Sequence, residues 1–420
     1  MGLVRQVAII IASISLFTFI ALFGALPRLR ETPIGWAYRF LRYTIPRWLS
    51  KVDLWLCGGR CTAMSKRFGH YVMYERHPLI LVFYLTLITG GTYMFIDGAW
   101  SYLTSFERII VILAIPTPYL TLYLAANANP GIITPSNNRT ALTHYPYDHI
   151  NFFPSHICRT CHLPKPARSK HCSICRACVG RQDHHCVWLN TCVGQLNTRW
   201  FLLFLITTNL FLTLGTYLSF LCICRVAEHQ QMPMAGLDRK TQITIFGIVL
   251  VDQTYTGAVF LLASICGVLS YAFTIYHAYL IWAGTTTNET AKWADWKDDI
   301  QDGIVFIADM DTESDASSTS SNTDNLPTSS RSRRRKRSSR TKKNKARGAR
   351  PSEEEDATDE LSNWPRKSEQ KVMRIDDGEG PETLPRGWLW RRVEKLEEIE
   401  NIYDLGGWRN LLDVVFPKKL

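Results

Sequence analysis

The segment CSICRACVGRQDHHCVWLNTC, residues 172–192, combines five cysteines with two adjacent histidines in twenty-one residues. Extended back to Cys158, the pattern reads C-x2-C-x9-H-C-x2-C-x2-C-x4-D-H-H-C-x5-C. A C-x2-C pair places two thiolates on one turn, where both can reach a single tetrahedral zinc ion at about 2.3 Å. The spacing therefore predicts metal binding within residues 158–192.

The number of potential ligands in this segment exceeds what two zinc ions require. It holds seven cysteines, and its main histidine candidates are His171, His184 and His185, with His162 as a weaker one. Structural zinc takes four Cys or His ligands, so two sites of three Cys and one His consume six Cys and two His. One cysteine and at least one histidine remain, and the natural leftovers lie in the sequence DHHC at residues 183–186.

The sequence DHHC has the parts of an activated nucleophile. A histidine beside Cys186 favours the thiolate and can carry a proton, and the preceding Asp183 can orient the imidazole. The alternative is a purely structural zinc module with one spare thiol, which explains the spacing but gives the spare Cys–His pair no use. The pattern therefore favours covalent catalysis at Cys186, on a scaffold that zinc holds rigid.

Five apolar runs predict an α-helical polytopic membrane protein with about five spanning helices. A helix needs about 20 apolar residues to cross a hydrocarbon core of roughly 30 Å. Such runs cover residues 7–26, 79–96, 109–126, 200–224 and 255–282, and residues 243–251 blur the start of the last one. Because the cysteine-rich segment is tied between two of these runs, Cys186 should lie at the bilayer surface, where Trp188 also suits the interface.

The distribution of Lys and Arg predicts the orientation in the membrane. Residues 28–77 hold ten of them and residues 127–199 hold eight, whereas residues 97–108 and 225–242 hold one and three. Positive charge marks the cytosolic side of a membrane protein. The active site and the C-terminal tail are therefore predicted in the cytosol, with the N-terminus on the other side.

The formal net charge of +11 does not indicate a nucleic-acid partner. Residues 331–350 contain twelve Lys or Arg and no acid, and without this run the charge falls from +11 to −1. Such a run could be a nuclear-import or nucleic-acid patch, but at the cytosolic face of a membrane protein attraction to anionic lipid is favoured over these. A merely solvated linker is an equal alternative. The surrounding residues 311–370 are rich in Ser, Thr and charge, which predicts a disordered linker.

Some residues outside the cysteine-rich segment have structural interpretations. The five scattered cysteines (Cys57, Cys61, Cys222, Cys224 and Cys266) are interpreted as small buried apolar residues. Asn209 and His277 lie within predicted spans, where polar groups are functional candidates by default. Helix–helix hydrogen bonding is the favoured role for Asn209, and His277 is expected near the membrane surface.

Residues 158–192, with the wording KPARSKHCSICRACV and DHHCVWLNTCVG, resemble the DHHC protein S-acyltransferases, or palmitoyltransferases. Weaker similarities are NPG at residues 129–131, TTNE at residues 286–289, and NIYDLGGWRN at residues 401–410, after which Leu411 stands where the family often has Trp. The arrangement is most similar to the fungal subgroup that acts on SNARE proteins, which has an extra N-terminal anchor.

The resemblance implies a role for each residue of the site. The two zinc ions would be held by Cys158, Cys161, His171 and Cys178, and by Cys172, Cys175, His185 and Cys192. Cys186 would accept the acyl group, with His184 as its base and Asp183 as the orienting acid. Thr287 would contact that acid, and Asn410 would support the backbone of a helix.

The implied reaction moves a long-chain acyl group, such as palmitoyl, from acyl-CoA to cysteines of membrane proteins, SNAREs among them. It would run in two steps through an acyl-cysteine at Cys186. The acyl chain would lie among the spanning helices, and the CoA phosphates would meet Lys165, Arg168 and Lys170, for which ordinary solvated charge is the alternative. We expect residence in the endoplasmic reticulum membrane, with the Golgi as the alternative.

Two other functions use the same cysteine pattern. A membrane-anchored zinc module could recruit partners without chemistry, in which case Cys186 would be dispensable. A zinc-dependent ubiquitin ligase would also bring paired metal sites to a membrane, but it leaves Asp183, His184 and Cys186 without a use and therefore ranks last.

These features predict eight segments along the chain. They are an N-terminal membrane anchor (1–27), a basic cytosolic loop (28–78), a pair of transmembrane helices (79–126), the cysteine-rich DHHC zinc domain (127–199), a second pair of transmembrane helices (200–283), the TTNE segment (284–310), the disordered charged linker (311–370) and a C-terminal segment (371–420).

Overall fold

The computed structural model describes residues 16, 17, 20, 29, 31–232, 235–309, 364–375 and 381–420. They form two compact units, Met1–His77 and Pro78–Leu420. Of the predicted N-terminal anchor at residues 1–27, only Leu16, Phe17 and Ile20 are described, so that prediction lies outside the described residues.

The first unit is built from amphipathic helices. They are α1 (Pro33–Arg39), a π-helical turn (Phe40–Thr44), α2 (Ile45–Cys57) and α3 (Arg60–Tyr74). The turn between α2 and α3 needs two left-handed residues, which Gly58 (φ 61°) and Gly59 (φ 80°) supply without steric cost. The predicted burial of Cys57 and Cys61 beside this turn is wrong, because both are exposed.

Four helices of the second unit are long and apolar enough to cross a membrane. They cover Leu79–Tyr102, Ser105–Asn127, Thr198–His229 and Thr254–Trp282, which confirms the four predicted spans that fall within the described residues. In element terms these are α4 (Leu79–Ala99), α5 (Ser105–Ala114) with α6 (Pro116–Asn127), and, later in the chain, α8 (Thr198–His229) and α10 (Thr254–Trp282). The helix α9 (Arg239–Asp252) takes up the apolar run that blurred the start of the last span.

Between α6 and α8, the chain folds into short strands joined by loops. After β1 (Ile132–Ile133) and α7 (Asn138–Leu142) come β2 (Lys170–Cys172), β3 (Ala177–Val179), β4 (His184–Cys186) and β5 (Thr191–Val193). The strands form a sheet of order β1-β3-β2 and a separate β4-β5 hairpin. Both hairpins have the same plan: β2 sets His171 opposite Cys178, and β4 sets His185 opposite Cys192.

The C-terminal part folds back onto this domain. The helix α11 (Thr287–Gln301) leads into β6 (Val305–Asp309), which pairs with β7 (Gln370–Arg374) and β8 (Arg391–Arg392) in a sheet of order β7-β6-β8. The helix α12 (Gly407–Val415) then packs against α8 and α10. The strand β6, which follows the TTNE sequence, thus shares one sheet with the C-terminal strands β7 and β8, although residues 310–369 separate β6 from β7 in the sequence.

The C-terminal end of the charged linker lies earlier than predicted. Residues 311–363, which include the basic run, lie outside the described residues. Trp364, however, is buried, its indole packs on Tyr145 at 4.9 Å between ring centroids, and its Nε1 donates to the carbonyl of Ile402 at 3.0 Å. Trp364 therefore belongs to the folded part of the chain, six residues before the predicted end of the linker at residue 370.

Candidate active site and zinc-binding clusters

Two four-residue clusters in the cysteine-rich domain have ligand sets that fit zinc. The first is Cys158, Cys161, His171 and Cys178, and the second is Cys172, Cys175, His185 and Cys192. In each, the Nδ1 atom of the histidine lies 3.3–3.8 Å from the three sulfurs. Ligands at about 2.3 and 2.0 Å around a tetrahedral zinc ion are separated by about 3.5–3.8 Å, so both clusters match its geometry.

Strand β4 separates the metal-binding and the reactive side chains. Successive residues of a strand point to opposite faces. His185 faces Cys192 and completes the second cluster, whereas His184 and Cys186 share the other face. Cys186 therefore belongs to neither cluster, and its sulfur is buried among the apolar residues Leu189, Val193 and Phe201.

Asp183 holds the imidazole of His184 in place. Its Oδ2 atom lies 2.7 Å from Nδ1 of His184. The backbone N–H of Thr287 donates to Oδ1 of Asp183 at 2.5 Å, and the Thr287 hydroxyl donates to Oδ2 at 3.2 Å. With Asp183 only 8% exposed, these bonds fix the carboxylate and leave the second nitrogen of His184 directed away from it.

His277 is the residue of this site whose role the sequence did not reveal. It is buried near the end of α10, and its Nδ1 atom lies 3.7 Å from Oδ2 of Asp183. Its ring packs 5.5 Å from that of His184 and 5.0 Å from that of Phe201. Its position within a predicted span was the only signal in the sequence, because the contact joins residues 94 positions apart.

The charge states of His184 and Asp183 are set by burial and by the groups to which they form hydrogen bonds. Burial disfavours the imidazolium of His184, but hydrogen bonds to Asp183 and to Cys186 outweigh it and raise the pKa of His184 to about 9. Burial likewise raises the pKa of Asp183, and the hydrogen bond and charge of His184 together with the Thr287 N–H overcome this, so the pKa is lowered. At neutral pH the site therefore holds an imidazolium beside Cys186.

An apolar cavity of about 450 Å³ begins at Cys186 and runs among the spanning helices. Tyr84 and Trp188 line it with Cys186, and their rings meet edge to face at 6.4 Å. Cavity-lining residues on α8 extend from Phe201 to Leu218, about 25 Å along the helix at its usual rise. Four residues of one packed cluster line the cavity near Leu218: Phe95, Val111, Leu218 itself and Val259.

Comparison with known proteins places this site in a family. Residues 151–294 match the family described as DHHC palmitoyltransferase. The chain is 37% identical to palmitoyltransferase swf1 of Emericella nidulans, over 99% of this chain and 97% of that protein. The chain belongs to the DHHC palmitoyltransferase family.

Further relatives extend the same result beyond one fungus. Palmitoyltransferase SWF1 of Neurospora crassa is 35% identical over 99% of this chain and 93% of its own length. Palmitoyltransferase ZDHHC4 of Mus musculus is 32% identical over 54% of this chain and 69% of its own length. The chain is thus an integral membrane palmitoyltransferase, and neither a partner-recruiting module nor a ubiquitin ligase is favoured.

In this palmitoyltransferase, Arg168 is a structural residue and does not lie free to meet CoA. Its side chain is 1% exposed, and its guanidinium donates from Nε and Nη2 to the carboxylate of Glu289 at 2.7 and 2.6 Å. Nη2 also donates to the carbonyl of Gly284 at 2.9 Å, and the group stacks on Tyr403 at 4.6 Å. The prediction of a phosphate contact is therefore wrong for Arg168, whereas Lys170 is exposed and Lys165 half-buried.

Glu289 explains why the TTNE sequence matters to the DHHC site. It forms a capping box with Thr286 at the start of α11, and its carboxylate binds Arg168. These contacts hold the adjacent Thr287 against Asp183. Arg168 and Glu289 are 121 positions apart, so their contact could not be predicted from the sequence.

We expect Arg168→Met to destabilise the enzyme by about 3–5 kcal/mol, because it leaves the carboxylate of Glu289 buried without a partner. The matched control is Lys170→Met, an exposed change on the same loop, which should alter stability by less than about 0.5 kcal/mol. Thermal unfolding in detergent measures both. A stable Arg168→Met enzyme with a raised KM for palmitoyl-CoA would contradict the structural role.

Asn410 lies where the end of the last spanning helix meets the C-terminal segment. Its Nδ2 donates to the carbonyl of Trp282 at 2.9 Å and to Oδ1 of Asp404 at 2.6 Å, and its Oδ1 accepts from the N–H of Leu405 at 2.9 Å. The side chain is buried. The bond to Trp282 satisfies a helix-terminal carbonyl that has no intrahelical partner, and the other two tie it to the C-terminal segment.

Proposed function

We propose that this enzyme moves palmitoyl from palmitoyl-CoA to cysteines of membrane proteins through an acyl-enzyme at Cys186. One observation carries the proposal: Cys186 lies outside both zinc-fitting clusters, beside His184, and at the opening of an apolar cavity. A sulfur used only for structure would need neither the imidazolium nor a long apolar space.

The first step loads the enzyme. The Cys186 thiolate attacks the thioester carbonyl of palmitoyl-CoA, a new carbon–sulfur bond forms, and the CoA thiolate leaves. The imidazolium of His184 stabilises the resting thiolate and can protonate the leaving sulfur. The CoA phosphates would lie against exposed cations, of which Lys170 and Lys165 are the candidates on the domain surface.

The second step transfers the acyl group. The thiol of a substrate cysteine gives its proton to His184, now a neutral base, and attacks the carbonyl of acyl-Cys186. The Cys186 thiolate leaves, and the proton on His184 restores the starting ion pair. Asp183 keeps one ring nitrogen occupied so that the other faces the reaction, and His277 with Thr287 keeps Asp183 from turning away.

Zinc would serve this reaction as a scaffold. Two zinc ions would be held by the clusters around His171 and His185, and they supply rigidity when bound. Because His185 precedes Cys186 on β4, fixing His185 also fixes the strand that presents the nucleophile. No proton or acyl transfer requires a zinc ligand.

Substrate class and location follow from the membrane placement. An acyl carbonyl at the bilayer surface is reached by cysteines beside the transmembrane anchors of other proteins, and SNAREs have such cysteines, in line with the fungal subgroup that this sequence resembles. Ten Lys or Arg in residues 28–77 and eight in residues 127–199 support a cytosolic active site. Residence in the endoplasmic reticulum is part of the same proposal.

Incubating the purified enzyme with labelled palmitoyl-CoA tests the proposal. We expect one hydroxylamine-sensitive label on the peptide that contains Cys186, and its transfer to a SNARE fragment with a juxtamembrane cysteine but not to the same fragment with serine there. An intact, zinc-loaded enzyme that takes up no label would overturn the acyl-enzyme mechanism. Label on Cys186 that moves to no SNARE fragment would overturn only the substrate class.

Substituting a glycine that lines the cavity should change the acyl-chain preference, and α4 offers a matched pair of glycines for this test. Gly91 lines the cavity, whereas its neighbour Gly90 does not, and a Cβ at either position meets nothing within 4 Å. Gly91→Leu should exclude two or three methylenes of a palmitoyl chain, a loss of about 2 kcal/mol or about 30-fold in kcat/KM. Shorter acyl-CoAs should be affected less.

Gly90→Leu is the control, since it adds the same side chain without entering the cavity. It should leave the ratio of kcat/KM for palmitoyl-CoA and a shorter acyl-CoA unchanged. Equal ratios for the two variants would mean that the acyl chain binds elsewhere.

A further inference from the structure

Two exposed thiols lie together at the turn of the first unit. Cys57 ends α2 and Cys61 stands in the first turn of α3, with Gly58 and Gly59 between the helices. The Sγ atoms and a carboxylate oxygen of Asp53 all lie within 4.8 Å of one another. Nothing in the acyl-transfer site accounts for this cluster, which belongs to the other unit of the chain.

Asp53 has a structural task in this cluster. Its two carboxylate oxygens accept the backbone N–H groups of Cys61 and Thr62 at 3.2 and 2.7 Å. Both are N–H groups at the start of α3 that have no partner within the helix. The carboxylate thus closes the turn. Among the residues that the structure describes, the cluster then has two thiols and no further His or Cys for a four-ligand metal site.

The helices on both sides of the turn have the character of membrane-surface helices. The apolar face of α2 follows helical spacing through Trp48, Leu49, Val52, Trp55 and Leu56, and Trp55 is 84% exposed. Residues 45–74 hold five Lys or Arg and one acidic residue. Exposed tryptophans with flanking basic residues are typical of helices that lie at the interface of an anionic bilayer.

Cys61 lies on the apolar stripe of α3. It stands three, seven and eleven positions before Met64, Phe68 and Val72, so these side chains share one helix face. Met64 is 69% exposed. The helix ends at Tyr74, four residues before the spanning helix α4 begins at Leu79. An exposed apolar helix face therefore carries a thiol, on a segment that precedes a spanning helix in the sequence.

We propose that Cys57 and Cys61 are S-acylation sites, modified by the acyl-transfer activity of this enzyme itself. The inference rests on the proposed function, because both thiols belong to the substrate class assigned there: cytosolic cysteines beside a transmembrane helix. The thiol of Cys57 or Cys61 gives its proton to His184 of another copy and attacks the carbonyl of acyl-Cys186 there. A thioester forms on the attacking sulfur, and Cys186 leaves as a thiolate beside the imidazolium of His184.

The two thiols are close enough to affect each other. A hydrogen bond to Asp53, followed by one to Cys57, raises the pKa of the Cys61 thiol. An acyl chain on either residue would add its methylenes to the lipid contact of the helix pair.

Acyl transfer between two full-length copies tests the inference. A Cys186→Ala copy with its own tag is reconstituted with the unmodified enzyme in vesicles that contain phosphatidylserine, and labelled palmitoyl-CoA is added. We expect hydroxylamine-sensitive label on the Cys186→Ala copy only when the active enzyme is present. Adding Cys57→Ser and Cys61→Ser to that copy should remove the label, whereas Cys222→Ser and Cys224→Ser, a matched pair on α8, should not.

A further variant keeps both thiols and removes the lipid-facing side chain. Trp55→Asp on the Cys186→Ala copy should reduce its label if the helix pair brings the turn to the bilayer. Label on Cys186 of the active copy is measured in the same sample. This inference is wrong if Cys186 of the active copy is labelled and the Cys186→Ala copy is not. It is also wrong if the Cys186→Ala copy keeps its label after Cys57 and Cys61 are replaced. In both cases the proposed function stands. If Cys186 itself takes no label, the proposed function fails first.

Discussion

Cys186→Ala should reduce palmitoyl transfer to background, a loss of about 10⁴-fold or more, while the protein keeps its fold and its zinc. The sulfur is the atom that would hold the acyl group, so no other residue of the site can replace its covalent step. It belongs to neither zinc-fitting cluster, so its loss removes no ligand. Activity is measured with labelled palmitoyl-CoA, and zinc by elemental analysis of the purified protein.

The matched control for this variant is Cys192→Ala, a second buried cysteine only six positions further on. Cys192 is part of the cluster around His185, so its loss should lower the zinc content from two ions towards one per chain and destabilise the domain. The two variants should thus lose activity for different reasons. A Cys186→Ala protein that loses zinc, or one that still transfers palmitate, would contradict the separation of roles.

Asp183→Asn should lower the rate of acyl-enzyme formation at pH 7 by about 10²–10⁴-fold. The variant removes the charge that, against the effect of burial, raises the pKa of His184 to about 9, so the pKa of the imidazole falls. The imidazolium is then lost at a lower pH, so at neutral pH fewer enzyme molecules hold a proton for the leaving CoA sulfur. Near pH 9 the loss should be smaller, because about half of the imidazoles of the unmodified enzyme are deprotonated there as well.

The pH profile distinguishes this role from simple destabilisation. Asp148 provides the control, since it is another buried carboxylate of the same domain and accepts the N–H groups of Ile150, Asn151 and Phe152 at 2.8–3.1 Å. Asp148→Asn should lower the unfolding temperature and leave the shape of the pH profile unchanged. If Asp183→Asn reduces the rate equally at pH 7 and pH 9, the carboxylate acts on stability alone.

Local patterns in the sequence sufficed for the membrane-spanning helices and for the surplus of sulfur over zinc ligands. Apolar run length is a property of consecutive residues, so the four described spans could be predicted from it. The ligand arithmetic similarly singled out the four residues at 183–186. It could not say which of the two histidines binds metal, because that depends on the opposite faces of the strand β4.

The tertiary structure decided what joins distant parts of the chain. In the sequence, Arg168 cannot be distinguished from the other cations of its loop. Only the fold shows that its guanidinium is buried against Glu289, 121 positions away. His277 reads as a polar residue in a span until the packing of α10 brings its ring beside Asp183 and His184. The cavity, too, exists only between helices that pack together. Composition and spacing describe neighbours along the chain, whereas burial and pairing are set by residues that only folding brings into contact.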